Sequence, residues 1–194
     1  MIDVTDCRDL QNLQTILFMI IFLQSTAKLA TCYAYIGVAL RTCCRLGMHR
    51  NIEAPKQNVI EREERRRVFW LVRKMDTYVG TMLGLPQMLS EDDVDQKYPT
   101  EVTDECIFED GIRTTTTDVF PLLKATNAHT RLTAILRKVI RYVYPVKGWS
   151  SPSDDRYTIS HARIREIERD LQQWMDALPM ELRPAENAGD EMSR

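Results

Sequence analysis

Most of the signatures by which a sequence announces its chemistry are missing from this chain. It has no Gly-rich phosphate loop, nucleophile elbow, His-Glu-x-x-His or paired metal-ligand motif, so nothing marks it as an enzyme. The five cysteines, Cys7, Cys32, Cys43, Cys44 and Cys106, are odd in number and form no Cys-x-x-Cys pair. That argues against a disulfide framework and for reduced thiols in a nuclear or cytosolic compartment. Cys43, Cys44 and His49 make a poor metal set, because adjacent helical side chains point about 100° apart. No catalytic residue, cofactor or metal is therefore expected in these residues.

Long apolar runs and a dominant charge are lacking too. Ile16 to Leu23 is apolar for eight residues, whereas a membrane span needs about 20, so a buried core helix is the better reading. The first residues, Met-Ile-Asp-Val-Thr-Asp-Cys-Arg, carry no basic region or cleavage site, which speaks against a secretory signal. With 26 basic and 28 acidic side chains, the net charge is −2. No global basic field draws this chain onto nucleic acid.

Strand-like alternation is almost absent, and helical periodicity dominates. The expected fold class is all-α, a single irregular helical bundle, since 194 residues suit one sizeable core better than two. Leu10–Gln24 reads as a first helix with Leu13, Leu17, Ile20 and Ile21 inward. A second, over 28–46, sets Leu29, Cys32, Tyr33, Ile36, Leu40 and Cys43 on one stripe. Gly47 then stands where a helix end wants a left-handed residue, with Met48 folding back on the last turn. Leu83-Gly84-Leu85 repeats this pattern and adds Pro86, which cannot continue a helix.

Asn58 can cap a third, central helix, with Glu61 completing a capping box, and Val68, Leu71, Val72, Met75, Val79 and Met82 on its inner face. Ser90–Pro99 reads as a short acidic turn, and Thr100–Thr117 as a loop. A fourth helix is expected over 118–143, with Pro121 in its first turn. A fifth is expected over 158–178, with His161, Ile164, Ile167, Leu171, Trp174, Met175 and Leu178 inward. Pro145 to Pro152 and residues 183–194 read as loop and disordered tail.

One stretch is dense in charge: Glu61-Arg-Glu-Glu-Arg-Arg-Arg-Val-Phe-Trp70. Arg65, Arg66 and Arg67 invite a nucleic-acid reading, but Glu61 stands four residues before Arg65 and Glu63 four before Arg67, the spacing of helical ion pairs. Three consecutive arginines point in three directions, so at least one leans inward and needs a buried acceptor. Asp76, Asp93 and Asp95 are the candidates. His49 is expected to make a structural hydrogen bond at a helix end rather than to act as a base. Phe69, Trp70, Tyr33 and Tyr35 are read as core.

Taken together, Ala39, Arg41, Leu46, Gly47, His49, Arg50, Glu61, Glu64, Arg65, Arg66, Arg67, Phe69, Trp70, Asp76, Gly84, Pro86, Asp93, Asp95 and Pro99 resemble the regulatory middle homology region of fungal zinc binuclear cluster transcription factors. The match is close over residues 13–99 and looser elsewhere within 1–182. Met48, where leucine is usual, and Leu85, often arginine, are small departures. The resemblance implies a nuclear regulator of RNA polymerase II transcription, in which a separate module of six cysteines and two zinc ions reads DNA and the middle region restrains or releases activation. That module is not among these residues, so DNA recognition and zinc are expected outside them, along with helices covering the other face of Leu10–Leu23. The implied partners are DNA through that module, transcription co-regulators, a small-molecule effector and a second copy of the full protein, with no membrane. A stand-alone helical scaffold or dominant-negative partner is the alternative.

Overall fold

The computed structural model of the protein describes residues 9–52, 57–113, 120–144 and 160–183. The four-threonine run, the loop from Pro145 to Pro152 and the tail beyond Arg183 lie outside the described residues. Contacts divide the chain into two compact units, Met1–Leu123 and Lys124–Arg194.

In the first unit, helix α1 (Leu10–Ser25) starts at Asp9, whose carboxylate accepts the Asn12 N–H at 2.8 Å. It buries Leu13, Ile16, Leu17 and Ile20. Ile21, expected inward, is 42% exposed, and Ile16 takes the inward place. Phe18 and Phe22 join Ile21 on the exposed side.

Helix α2 (Leu29–Arg45) packs against both α1 and the long helix α3 (Val59–Leu83). Its buried residues Cys32, Ile36, Ala39, Leu40 and Cys43 follow the helical repeat. With Phe69, Val72 and Val79 of α3 they form the centre of the core. Both helix ends close as their glycines predict. Gly47 has φ +70°, with Met48 N–H donating to the Cys43 carbonyl and Gly47 N–H to that of Cys44. Gly84 has φ +65°, with Leu85 N–H donating to the Gly80 carbonyl. Met48 is buried behind its turn, whereas Leu85 remains exposed. At the start of α3, Asn58 Oδ1 accepts the Glu61 N–H at 2.8 Å. Met82, expected on the inner face of α3, is 64% exposed, while the next residue, Leu83, packs against the core.

The stretch 100–113, expected to be a loop, contains a 3-10 turn (Asp104–Cys106) and a small antiparallel pair, β1 (Ile107–Phe108) with β2 (Gly111–Ile112). Two residues per strand are too few to write an alternation into the sequence.

The second unit is a helix pair, α4 (Leu122–Val143) and α5 (His161–Asp176). Helix α4 begins directly after Pro121, so the proline precedes the first turn rather than sitting in it. No residue of α5 is buried, and of the expected inner stripe only Leu178, just past the helix, is. Ile164, Leu171 and Met175 are 37%, 38% and 46% exposed. Among the described residues of this unit α4 is the one long helix beside α5, and one neighbour shields one side. Polar contacts fix the pair: Trp174 Nε1 donates to the Ala128 carbonyl at 2.7 Å, and Lys138 Nζ to Glu166 Oε1 at 2.9 Å and to Asp170.

The bonds from Lys138 hold the Glu166 carboxyl below its usual range, and Asp170 with Glu166 holds the Lys138 amine above its own. The Glu166 contribution is present above the ordinary glutamate pKa and is lost as pH falls through the lowered one. The Lys138 contribution is present below the ordinary lysine pKa and is lost only at strongly alkaline pH. Thermal melts of the parent chain and Lys138→Met should therefore differ most near neutrality and converge as pH falls below about 4. A difference that stays constant into acid would remove the ion cluster from the account of how α4 and α5 hold together.

Candidate functional site

The charged entry of α3 is organised around Glu63, whose side chain is 2% exposed. A carboxylate so buried must be matched by donors. Oε1 accepts the Thr100 N–H at 2.5 Å, and Oε2 accepts the Thr100 hydroxyl at 3.1 Å and Arg66 Nη1 at 3.4 Å. Arg67 Nε lies 3.9 Å from Oε1, while its Nη1 pairs with Asp104 at 2.7 Å. Glu63 thus joins one turn of α3 to Thr100 and, through Arg67, to the 3-10 turn.

The chain between Gly84 and Thr100 runs back along α2 and α3, held at successive points. Tyr33 Oη donates to the Pro86 carbonyl at 2.8 Å, Met88 N–H to Asp76 Oδ2 at 3.1 Å, and Trp70 Nε1 to the Lys97 carbonyl at 2.8 Å. Tyr98 stacks on Trp70 with ring centroids 4.5 Å apart, and Phe69 meets Trp70 edge-on at 5.5 Å. Gln96 Nε2 donates to the carbonyls of Met48 and Arg50, both at 2.9 Å, and its Oε1 accepts from Arg66 at 3.4 Å. The strap therefore ties the end of α2 to the start of α3.

Beside this junction lies a recess of about 190 Å³. Arg62, Arg65 and Arg66 line it with Asn51, Gln57 and Gln96, and Leu46, Met48 and Ile52 add apolar lining.

A model of the family described as fungal specific transcription factor domain matches residues 2–176. The chain belongs to that family. Among curated proteins it is 42% identical to "Activator of stress genes 1" of Saccharomyces cerevisiae, over all of this chain and 20% of that protein. It is 36% identical to "Activator of stress genes protein 1" of Candida albicans, over 95% of the chain and 20% of that protein. It is 26% identical to "Transcriptional activator protein acu-15" of Neurospora crassa, over 89% of the chain and 18% of that protein. The chain spans about a fifth of the length of the curated relatives it matches. No solved structure matches it. The family and these relatives are regulators of transcription, not enzymes.

The residues that carry the family resemblance lie in α2 and at its end, along α3 and at its end, and along the strap. Leu46 and Gly47 close α2, and Gly84 closes α3. Arg50 and Asp95 form a pair at 3.3 Å that is half-exposed on both sides and is worth little. Asp95 also accepts the Asn51 N–H at 2.8 Å, Asp93 caps Ser90, and Pro99 is buried beside Thr100. Phe69 and Trp70 are core, as expected, while Tyr33 and Tyr35 are only half-buried at its edge.

Three expectations change. Arg65 does not pair with Glu61: its Nη2 donates to the Leu46 carbonyl, where a cation meets the negative end of the α2 dipole. Glu61 lends its N–H to the Asn58 cap, and Glu64 is exposed. The buried acceptor for Arg66 is Glu63, not Asp76, Asp93 or Asp95. Three residues back on the same helix it is nearer than any aspartate, and Thr100 completes its shell. His49 contributes its carbonyl, which accepts from Asp95 and Gln96 N–H, while its ring Nδ1 is buried without a hydrogen-bond partner. The hydrogen bonding expected of His49 at the helix end therefore runs through its backbone carbonyl.

The spacing that set Glu63 beside Arg67 holds, at 3.9 Å, but the burial of Glu63 and its pairing with Arg66 were missed in the sequence. Its place three residues before Arg66 was the available signal. Gln96 and Thr100 bore none, because both act across long sequence separations.

Removing Glu63 leaves Arg66 and Arg67 without their shared buried anion. Glu63→Ala should lose about 3 kcal/mol in urea unfolding. Because both partners belong to one contact, Glu63→Ala/Arg66→Ala should lose less than the sum of the single changes. Strict additivity would show that Glu63 and Arg66 do not act as a unit.

Proposed function

We propose that this chain is the regulatory, non-DNA-contacting body of a fungal transcription factor controlling RNA polymerase II transcription. DNA reading belongs to a zinc cluster elsewhere in the full protein, which works in the nucleus. The observation that carries this reading is the family match over 2–176, combined with what the conspicuous arginines do. Arg65 is committed to the end of α2, Arg66 to Glu63 and Gln96, and Arg67 to Glu63 and Asp104. Arginines spent on internal contacts organise the fold instead of presenting a phosphate-tracking face.

The strap supplies the means of regulation. It contacts α2 and α3 at discrete points, so a binding event that favours one seating over another would shift a two-state equilibrium. Co-regulators or an effector bias that equilibrium, and the state of the body restrains or releases an activation segment.

A reporter gene driven by a heterologous DNA-binding domain and activation segment, with this chain inserted between them, tests the reading. Relative to an inert helical insert of equal length, output should change by about fivefold or more, and Glu63→Ala should reverse the change. Equal output from both inserts would reject a regulatory body. In a band-shift assay the chain alone should show only weak, salt-sensitive DNA binding, and tight sequence-specific binding would equally overturn it.

A further inference from the structure

We propose that the recess between the end of α2 and the start of α3 is a binding site for a compact anionic metabolite carrying carboxylate or phosphate groups. This rests on the reading of the chain as a regulatory body and names the class of effector that body would sense.

Charge balance is the first ground. Three guanidinium groups, Arg62, Arg65 and Arg66, line the recess, and none of its described lining residues is acidic. Glu63, the nearest buried anion, is shared between Arg66 and Arg67. Among the described residues, neither Arg62 nor Arg65 has a carboxylate within ion-pair distance. Arg65 has the Leu46 carbonyl, a partial charge only. Arg62 is half-buried, and no side-chain hydrogen bond engages its guanidinium. Its position in the first turns of α3 sets a cation near the positive end of a helix dipole, where an anion is preferred.

Donor geometry is the second ground. Each guanidinium offers five N–H donors in a rigid fork, and among the described residues Arg62 makes no side-chain hydrogen bond. The Asn51 and Gln57 amides add neutral donors on the same wall. Such a set matches oxygens that accept two bonds each, as carboxylates and phosphates do.

Size and lining are the third. At about 190 Å³ the recess is smaller than the roughly 300 Å³ of sites for drug-sized ligands. Leu46, Met48 and Ile52 offer a short carbon skeleton apolar lining. The consequence for regulation is direct: the walls come from the end of α2, the start of α3 and Gln96 of the strap. A ligand bridging Arg62 and Arg65 would stabilise the seating in which these three meet.

The test uses the 194-residue chain, with tricarballylate and inorganic pyrophosphate as the carboxylate and phosphate probes. Ionic strength is matched with sodium chloride. Either probe at about 10 mM should raise the melting temperature above the salt control. Calorimetric titration should give saturable binding that weakens about tenfold in Arg62→Gln, the loss expected for one charge-assisted contact. Arg62→Lys should restore part of it, and Arg165→Gln, an exposed change elsewhere, should leave it intact. Preference for one probe identifies the ligand's anionic group. Stabilisation that equals the salt control, or that survives unchanged in Arg62→Gln, overturns the site. A change in reporter output together with no anion binding would remove this ligand class while leaving the regulatory reading standing.

Discussion

Burying the carboxylate of Glu63 is the constraint on which the rest of the first unit depends. A glutamate held at 2% exposure is tolerable only if its donors arrive from fixed directions, and Thr100 supplies two of them. Because Thr100 lies 37 residues downstream, meeting that requirement brings the chain after Gly84 back along α3. The return path gives Trp70 its acceptor at Lys97 and its stacking partner Tyr98, and gives Asp76 the Met88 N–H. Electrostatics and packing thus select the same course for the strap.

The same constraint sorts the arginines. Glu63 has one charge and two arginine neighbours, Arg66 at 3.4 Å and Arg67 at 3.9 Å, so Arg67 completes its pairing at Asp104 and Arg65 turns away to α2. At Leu46 it meets a carbonyl that helix geometry leaves unpaired, next to the two that the Gly47 and Met48 N–H groups satisfy. The end of α2 is closed partly by its own glycine turn and partly by a side chain from α3. A guanidinium there also locks the helices' mutual position, which backbone caps alone cannot do.

What the sequence disclosed divides along range. Helix stops at Gly47 and Gly84 and the Asn58 cap are written in adjacent residues, and the structure forms all three. The α2 stripe was legible because its partners α1 and α3 cover it on two sides. The α5 stripe reads as strongly, yet among the described residues of its unit it has one long helical neighbour, and periodicity says which face is apolar, not how much of it finds cover. Ion pairs were legible only in part: the Glu63–Arg67 spacing holds, the Glu61–Arg65 spacing does not. Spacing put Arg65 beside Glu61, and nothing local signals that a carbonyl 19 residues upstream competes for it. Glutamate is so commonly exposed that its burial at position 63 follows only once Thr100 is in place.

A body built this way favours discrete states over gradual deformation. Its core of Phe69, Val72, Val79, Ile36 and Leu40 is closely packed, and packed interiors rearrange between alternatives instead of yielding continuously. The polar attachments of the strap are individually modest, about 1 kcal/mol for each neutral bond. Glu63 and Asp76 are the exceptions, since a buried charge cannot give up its donors one at a time without incurring a large desolvation cost. Release near Thr100 is therefore expected to be cooperative with the arginine cluster. At the other end, Pro86 can part from Tyr33 at the cost of one neutral bond, whereas Met88 is held by the buried carboxylate of Asp76. The strap is thus latched by two buried carboxylates, at Asp76 and at Glu63, and a regulator acting on this body gains most leverage where Glu63 also gathers the arginines.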